Sequence, residues 1–517
     1  MTLTPFRNEP YLDFNQPANR DAMQAAVTEL RATLGQDHPL LIAGERVTTE
    51  DKLRSVNPSN PSELIGAVSK ATPELATRAL EAAHDYFPEW SRTLPMDRVK
   101  MLLRAAELLR ERKLHFNAWL CLESGKTWAE AEGETAEAID FCEYYAREMA
   151  RLSGPQPVVQ MPGERDELHY LPLGVGIIIP PWNFALAILT GMTVAALVAG
   201  NTVLIKPSSE TPILAAALAD LLLEAGFPPK SLSFVPGSGA AIGDLLVQHP
   251  KTRFIAFTGS RDVGLRINEL AAKTQPGQIW IKRVVAEMGG KDAIIVDAEC
   301  DFDRAVEGVF SSAFGYQGQK CSACSRAIVH TGIYDKFVQR LQEKAVAVKV
   351  GPADDPQYYM GPVISQSAQK SIQNYIEIGK TEGRMVAGGT PVEGSGYFIP
   401  PTIIADVDGK ARIFQEEIFG PVLAVTRAED FEHALSLAND SQYGLTGAIF
   451  SDNKDHVREA RERFFVGNLY VNRKCTGAMV GAHPFGGFNM SGTDSKAGGP
   501  DYLLLFLQGK SIAEKVT

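Results

Sequence analysis

Apolar residues recur at helical spacing through the first third of the chain, with charged residues on the opposite face. This pattern predicts a short helix followed by three longer ones, at 21–34, 72–92, 98–122 and 128–152. Residues 154–173 then alternate polar and apolar side chains around Pro162 and Gly163. Such alternation around a pair of turn formers predicts a β-hairpin.

From residue 174 onwards, short apolar runs are each followed by Gly, Pro or Ser and then by a helical stretch. They predict strands at 174–179, 202–205, 232–235, 254–257, 293–296, 326–329, 385–387, 423–427, 447–450 and 468–471. Helical segments lie between them, for example at 303–314 and 431–438. Strands that alternate with helices form right-handed βαβ units, so we expect an α/β protein with two parallel-sheet domains of about 200 residues each.

The composition excludes several classes of protein. The chain has 517 residues, of which 45% are hydrophobic and 22% charged, as in an ordinary globular protein. Its 51 basic and 62 acidic residues leave a net charge of -11 without a basic block, so a nucleic-acid partner is not expected. The apolar stretch 184–200 is short for a membrane span and is interpreted as a buried helix.

Six cysteines in a chain of this length do not form a disulfide framework and fit a reducing compartment. The first residues carry charge and proline rather than an apolar core, so no secretory signal is predicted. We therefore expect a cytoplasmic location.

Two glycine-rich turns follow predicted strands and open helical stretches. Residues 235–243 come close to G-x-G-x-x-G, with the last glycine one position late, and residues 257–264 contain only G-x-x-x-x-G. Phosphate groups bind at such turns because the helix N-terminus presents free N–H groups. For either turn taken alone, the alternative to phosphate binding is that the glycines are there because the strand and the helix pack closely together.

Residues 317–326, QGQKCSACSR, carry the most reactive chemistry. Cys321 and Cys324 form a C-x-x-C, which is compatible with a redox pair, half of a zinc site, a hydrolase nucleophile or two buried thiols. A second C-x-x-C or an H-x-x-x-H is absent from the sequence, so a metal is not predicted. Lys320 and Arg326 are the cations that we expect to lower the thiol pKa.

Three polar residues beside predicted strands have both a structural and a functional interpretation. Glu287, among apolar and glycine neighbours, is either an exposed loop residue or a general base whose pKa is raised by poor solvation. Asn183 is either a helix N-cap or an amide donor to a developing oxyanion. Lys206 ends an apolar strand, where a lysine is either solvated or bound to a ligand at the edge of a parallel sheet.

Seven short motifs, taken in order, resemble the aldehyde dehydrogenase superfamily over nearly the whole chain. They are PWNF at 181–184, KPS at 206–208, FTGS at 257–260, E-x-GGK at 287–291, GQ-x-C at 318–321, EEIFGPV at 416–422 and PFGG at 484–487. The resemblance implies a Rossmann-type cofactor domain, an α/β catalytic domain and a β-hairpin arm for oligomerisation. The implied bounds are 1–151 with 174–287 for the NAD-binding domain, 288–481 for the catalytic domain, and 152–173 with 482–517 for the arm.

The same resemblance implies roles for individual residues. Cys321 is expected to be the nucleophile and Glu287 the base, with Asn183 in the oxyanion hole. The residues expected to hold the cofactor are Lys206 at its ribose, Gly259 and Ser260 at its pyrophosphate, Gly239 near its adenine, and Glu417 and Phe419 at its nicotinamide half. Ser209 stands where many NAD-preferring members carry Glu, so we expect NAD use with measurable NADP use.

Four further segments resemble those members of the family that oxidise L-glutamate-γ-semialdehyde to L-glutamate, the second step of proline degradation. They are QGQKCSACSR, AEMGGKDAIIVD, CTGAMVG and SGTDSKAGGPDYL. Ser322 with the backbone of Gly477 and Ala478 is then expected to bind the substrate carboxylate. Phe184 and Phe485 would flank its aliphatic stem, and Glu137 would lie at the pocket mouth.

Other aldehyde dehydrogenases, acting on another semialdehyde or on betaine aldehyde, are the alternative enzymes. A catalytically silent protein that keeps the fold is the alternative outside enzymology. The resemblance also implies a homodimer or a hexamer of dimers. It implies proline dehydrogenase as a partner that could pass substrate to this chain.

Overall fold

The structure is a computed structural model that describes residues 3–390, residue 392 and residues 394–516. Positions 1, 2 and 517 of the predicted domain bounds lie outside these residues. The helices are α1 (Pro17–Arg31), α2 (Pro73–Trp90), α3 (Pro95–Glu111), α4 (Lys113–Ser124), α5 (Trp128–Leu152), α6 (Ala187–Val198), α7 (Pro212–Glu224), α8 (Asp244–Gln248), α9 (Arg261–Ala272), α10 (Phe302–Phe314), α11 (Tyr334–Val346), α12 (Gln366–Glu382), α13 (Arg412–Gln415), α14 (Phe431–Asn439) and α15 (Lys454–Arg463). Short non-α turns cover Gly239–Gly243, Gly315–Gly318 and Tyr502–Phe506.

All ten strands predicted from residue 174 onwards are present, and the structure adds five strands before the predicted hairpin and five more after residue 280. They are β1 (Gln36–His38), β2 (Leu40–Ile42), β3 (Glu45–Val47), β4 (Lys52–Asn57), β5 (Asn60–Ser69), β6 (Glu164–Pro172), β7 (Val175–Ile179), β8 (Thr202–Ile205), β9 (Leu232–Phe234), β10 (Thr252–Thr258), β11 (Arg283–Glu287), β12 (Asp292–Val296), β13 (Cys324–His330), β14 (Arg384–Ala387), β15 (Thr402–Ala405), β16 (Val422–Ala428), β17 (Tyr443–Gly444), β18 (Thr446–Phe450), β19 (Asn468–Val471), β20 (Phe488–Asn489) and β21 (Leu507–Lys515).

Two seven-stranded sheets form the centre of the molecule. The first has the order β11-β10-β7-β8-β9-β2-β3, and its first five strands are parallel. The second has the order β14-β15-β16-β13-β12-β18-β19 and is parallel except at β14. Both sheets therefore carry antiparallel strands at one edge, so the prediction of purely parallel sheets is correct only for their centres.

Close packing between strands explains one glycine in the first sheet. A side chain on Gly176 of β7 would lie 2.0 Å from the ring of Phe254 on the neighbouring strand β10. Both residues are buried in the core. Glycine here lets two adjacent strands share one layer with a large aromatic ring.

The predicted hairpin at 154–173 is wrong in its pairing. Residues 164–172 form one long strand, β6, which pairs antiparallel with β21 near the C-terminus. The first half of the segment makes a single bridge, from Gln156 to Leu168. The distant strand offers a continuous backbone partner along all of β6, and sequence alternation cannot distinguish that partner from a local one.

The predicted helix at 98–122 is also divided. It ends at Glu111 and restarts at Lys113, because Arg112 adopts φ -109° and ψ 21°. Apolar spacing continues on both sides of this break, so the pattern does not reveal it. The apolar stretch at 184–200 forms the buried helix α6, as predicted. Among the described residues, no helix is both long and apolar enough to cross a bilayer.

Candidate active site

One cavity of about 350 Å³ lies at the end of the first sheet, between helix α5 and the segments that precede and follow the second sheet. Its wall includes Cys321 and Glu287, so the two residues predicted to carry the chemistry face the same space. All six predicted substrate residues also line it, namely Glu137, Phe184, Ser322, Gly477, Ala478 and Phe485.

A tight buried turn positions Cys321. Tyr316, Gln317 and Gly318 all have positive φ, at 47°, 55° and 66°. The Tyr316 hydroxyl donates to the Ser124 carbonyl at 2.9 Å, and the Gln317 amide donates to the Pro362 carbonyl at 2.7 Å. These buried hydrogen bonds hold a positive-φ backbone conformation that residues other than glycine rarely adopt.

The expected lowering of the Cys321 pKa is wrong. Lys320 pairs with Glu130 at 2.6 Å, and the Arg326 guanidinium donates to backbone carbonyls, one of them that of Lys291 at 2.7 Å. Burial raises the pKa of the Cys321 thiol well above its usual value, and nearby carboxylates, Asp292 first among them, raise it further. The two cations are engaged elsewhere, so Cys321 needs a base to become a thiolate.

The other member of the C-x-x-C has a structural environment. Cys324 is buried at the start of β13, and its sulfur donates to the Arg326 carbonyl at 3.5 Å. Both cysteines are free thiols. Across the described ranges, no cluster of three or more His, Cys, Asp or Glu side chains is arranged to hold a metal.

Glu287 is the last residue of β11, and a returning C-terminal loop holds its carboxylate. Ser495 donates to one carboxylate oxygen from its hydroxyl at 2.7 Å and from its backbone N–H at 3.1 Å. The Gly487 N–H donates to the other oxygen at 3.2 Å. Burial nevertheless raises the Glu287 pKa to about 7, because desolvation outweighs these hydrogen bonds. A carboxylate with this pKa suits a general base near neutral pH.

Asn183 is buried next to Phe184, which lines the cavity, and Asn183 is not itself among the lining residues. Its side-chain amide donates to the Gln319 carbonyl at 3.0 Å, two residues before Cys321. An amide nitrogen carries two hydrogens, so one of them remains for a second acceptor.

The predicted cofactor residues follow the carboxyl ends of adjacent strands. Lys206 follows β8 and is 8% exposed, and burial lowers its pKa to about 8. Among the described residues its amine has no hydrogen-bonding or ionic partner. Gly259 and Ser260 follow β10, and Ser260 caps α9 without a side-chain hydrogen bond. Ser209 and Gly239 are exposed near the same edge.

Glu417 and Phe419 approach this edge from the second sheet. Glu417 accepts a hydrogen bond from the Gly290 N–H at 3.1 Å, and burial raises its pKa to about 7. A side chain on Gly289 would lie 2.1 Å from the Glu417 carboxylate, which explains the paired glycines of the E-x-GGK motif. Phe419 makes an edge contact with Trp182 at a centroid distance of 5.4 Å.

A sequence profile described as the aldehyde dehydrogenase family matches residues 46–512. The chain belongs to the aldehyde dehydrogenase family. The predicted family and fold are therefore confirmed.

Relatives of this aldehyde dehydrogenase carry a more specific name. A 1-pyrroline-5-carboxylate dehydrogenase of Geobacillus thermodenitrificans is 57% identical, over 99% of both chains. A solved structure of 1-pyrroline-5-carboxylate dehydrogenase from Thermus with bound NAD is 50% identical, with a TM-score of 0.98 and full coverage of both chains. Proline utilization A from Bdellovibrio bacteriovorus is 44% identical, with a TM-score of 0.98, and this chain covers 54% of it.

A buried ion pair that the sequence did not reveal supports the wall of the aldehyde dehydrogenase cavity. The Lys126 amine lies 2.5 Å from Glu134 and 3.9 Å from the centroid of the Phe184 ring. The second Glu134 oxygen accepts from the N–H groups of Leu186 and Ala187, at the start of α6. The pair therefore fixes the segment that carries Asn183 and Phe184. Both charged residues belong to stretches without a motif, so no sequence signal pointed to them.

Ser495 is another functional residue that the sequence did not reveal by itself, although its segment, SGTDSKAGGPDYL, was part of the resemblance. Replacing Ser495 by Ala removes the hydroxyl hydrogen bond that favours the charged form of Glu287. The Glu287 pKa should then rise further. A base acts when it is deprotonated, so aldehyde oxidation should increase with pH through the Glu287 pKa. In Ser495→Ala, the midpoint of that increase in kcat should move to higher pH.

Thr493→Ala is the matched control for this pH profile. The Thr493 hydroxyl bonds only the backbone of Ala286, at 3.1 and 3.3 Å, and not the Glu287 carboxylate. The midpoint of the increase in kcat with pH in Thr493→Ala should equal that of the parent enzyme. If the midpoint of Ser495→Ala does not move, the pH dependence belongs to another group, such as Glu417.

Proposed function

We propose that this chain oxidises L-glutamate-γ-semialdehyde, the open form of 1-pyrroline-5-carboxylate, to L-glutamate with NAD as the oxidant. The observation that carries the proposal is that Cys321, Glu287 and the six predicted substrate residues line one cavity. The 1-pyrroline-5-carboxylate dehydrogenase of Geobacillus and that of Thermus, each matched over the full length, support the same activity.

The chemistry begins at Cys321. Glu287 accepts the thiol proton, directly or through water, because the raised pKa of the thiol leaves it protonated at neutral pH. The sulfur then adds to the aldehyde carbon, and the carbonyl oxygen becomes an oxyanion. Loss of a hydride from that carbon leaves a thioester on the sulfur. Glu287 releases the thiol proton to solvent and then removes a proton from water, which attacks the thioester carbon. The carbon–sulfur bond breaks, the carboxylic acid leaves, and the proton held by Glu287 returns to the sulfur as the thiol reforms.

The oxyanion needs hydrogen-bond donors while it carries charge. The free hydrogen of the Asn183 amide and the Cys321 backbone N–H are the donors that we assign to it. The Asn183 amide is already oriented by the Gln319 carbonyl, so little reorganisation accompanies the reaction. One such donor is worth roughly 3–4 kcal/mol of barrier.

The residues at the edge of the first sheet fit a dinucleotide. Lys206 offers a buried amine without a protein partner to a ribose, and the uncapped start of α9 at Ser260 offers N–H groups to the pyrophosphate. We assign Gly239 to the adenine side, and Glu417 with Phe419 to the nicotinamide half. When bound, NAD accepts the hydride released from the substrate carbon.

The α-amino acid end of the substrate needs two complementary partners. Ser322 and the backbone N–H groups of Gly477 and Ala478 are assigned to its carboxylate. Burial and the nearby Glu134 together raise the pKa of Glu137 to about 8. The cations near it, Lys126 and Lys320, are paired with Glu134 and Glu130, so neither supplies Glu137 with an adjacent positive charge. A substrate ammonium group at the pocket mouth would supply that charge.

The domain organisation and assembly that we propose rest on the resemblance to the aldehyde dehydrogenase superfamily. We propose the NAD-binding domain at 1–151 with 174–287, the catalytic domain at 288–481, and an arm at 152–173 with 482–517. Strands β6 and β21 of that arm form an exposed two-stranded ribbon, which suits pairing with a second copy in a dimer or a hexamer of dimers. Proline dehydrogenase is the partner proposed to supply substrate, and the cytoplasmic location stays a prediction.

The proposed substrate is tested by comparing three aldehydes with NAD held at saturation. We expect kcat/KM for L-glutamate-γ-semialdehyde to exceed that for propanal by at least about 100-fold, because propanal leaves the carboxylate partners unpaired. Betaine aldehyde, which carries a cation but lacks the carboxylate, should also be poor. A kcat/KM for propanal or for betaine aldehyde equal to that for L-glutamate-γ-semialdehyde would reject the proposed substrate.

Two variants test the proposed roles of the nucleophile and the base. Cys321→Ala should abolish aldehyde oxidation, whereas Cys324→Ala, three residues away and buried beside Arg326, should keep kcat within about threefold. Glu287→Gln should slow both steps that use the base, and thioester hydrolysis more than thioester formation, because water gives up a proton far less readily than a thiol does. A burst of NADH should therefore precede slow turnover. Mass spectrometry should then detect the acyl-enzyme, and an unchanged turnover number would remove Glu287 from the mechanism.

Cofactor selectivity depends on the exposed Ser209 position. A small uncharged side chain does not repel a 2′-phosphate, so kcat/KM with NADP should reach at least about one percent of the NAD value. Ser209→Glu should reduce NADP use about tenfold more than NAD use. A parent enzyme without detectable NADP turnover would contradict the prediction.

A further inference from the structure

The N-terminal segment 3–13 runs without helix or strand alongside the cavity, and we call it the N-terminal strap. One side chain of the strap, that of Asn8, forms hydrogen bonds to two elements on different sides of the cavity. The Asn8 amide donates to the Asp140 carboxylate of α5 at 2.8 Å and to the Val480 carbonyl at 3.0 Å. Val480 is two residues beyond Ala478, in the segment assigned to the substrate carboxylate.

Further hydrogen bonds hold the strap on the helix side. The Glu9 N–H donates to the second Asp140 oxygen at 2.6 Å, and the Leu12 N–H donates to Glu132 at 2.9 Å. Lys113 donates to the Pro10 carbonyl at 2.9 Å. Asp140 and Glu132 are only 3% and 2% exposed, so the strap lies on a rigid and buried base.

The strap also contacts the residues on either side of Val480. The Tyr11 hydroxyl donates to the Met479 sulfur at 3.5 Å, and Tyr11 itself lines the cavity. A side chain on Gly481 would lie 3.0 Å from the Phe6 ring. Three consecutive residues, 479–481, are thus held by the strap directly after Gly477 and Ala478.

We infer that the strap positions the 477–478 backbone for the substrate carboxylate, with Asn8 as the positioning residue. The inference rests on the proposed function, which places the carboxylate there. Gly477 is exposed, with φ at 78°, and belongs to no helix or strand. Arg473 donates to its carbonyl at 3.0 Å, and the rest of its position depends on what holds the neighbouring residues. A loop that is ordered before binding costs less to engage than a mobile one, so the contacts of residues 479–481 affect binding at 477–478.

Other elements hold the reacting groups. Glu287 is fixed by β11 and the Ser495 loop, and Cys321 by the turn at 315–318. Loss of the strap contact should therefore weaken binding of a carboxylate-bearing aldehyde and leave the chemical step intact. An aldehyde without a carboxylate should not respond.

The test uses Asn8→Ala in the full chain, with Asn439→Ala as the matched control. Asn439 ends α14, and its amide donates to the Arg463 carbonyl at 2.8 Å, outside both the strap and the 477–481 segment. For Asn8→Ala, KM for L-glutamate-γ-semialdehyde should rise about three- to tenfold, the range of one or two lost hydrogen bonds. Its kcat should stay within about twofold, and kcat/KM for propanal should not change.

Hydrogen exchange provides a readout that is independent of activity. Backbone amides at 477–481 should exchange about tenfold faster in Asn8→Ala than in the parent, while those at 485–497 should keep their rates. Asp140→Asn weakens the same bridge from the helix side and should give the same pattern if Asn8→Ala folds poorly.

The outcomes separate the two proposals. If the parent enzyme oxidises L-glutamate-γ-semialdehyde but Asn8→Ala changes neither its KM nor the exchange at 477–481, the strap inference is wrong and the proposed function stands. Equal losses with both aldehydes would also reject the inference, since they indicate general structural damage. If the parent enzyme does not oxidise the semialdehyde, both proposals are rejected.

Discussion

The pairing order of five parallel strands, β11-β10-β7-β8-β9, organises the whole site. Parallel strands end on the same edge of their sheet, so the residues that follow them are brought side by side. Glu287 ends β11, Ser260 follows β10, Asn183 follows β7 and Lys206 follows β8. These four residues span more than a hundred positions of sequence, and hydrogen bonds between neighbouring strands place them in one row.

Burial then gives these residues their chemistry. Desolvation raises the pKa values of Glu287 and Glu417 to about 7 and lowers that of Lys206 to about 8. The same effect raises the Cys321 pKa and makes the nucleophile dependent on a base in its own cavity. The same poorly solvated space therefore has two complementary effects. It raises the Glu287 pKa so that this carboxylate can accept a proton near neutral pH, and it raises the Cys321 pKa so that this thiol must lose a proton before it reacts.

The two ends of the chain complete the cavity. The C-terminal loop supplies Ser495 and Gly487 to Glu287, and the N-terminal strap supplies Asn8 to the Val480 carbonyl and Tyr11 to the cavity lining. Both segments lack regular secondary structure where they make these contacts. They can do so because buried carboxylates, Glu287 and Asp140, accept their hydrogen bonds.

Local patterns in the sequence determined the alternation of strands and helices, the α/β class, and the motifs that named Cys321, Glu287 and Asn183 as candidates. These depend on neighbouring residues and are visible without coordinates. Only the tertiary structure decided four other features. They are the β6–β21 pairing, the break at Arg112, the ion pair of Lys320 with Glu130 and the Lys126–Glu134 pair. Each depends on a partner far away in sequence or on exclusion of water. Local sequence patterns report neither which distant residues come into contact nor which side chains lose their solvent.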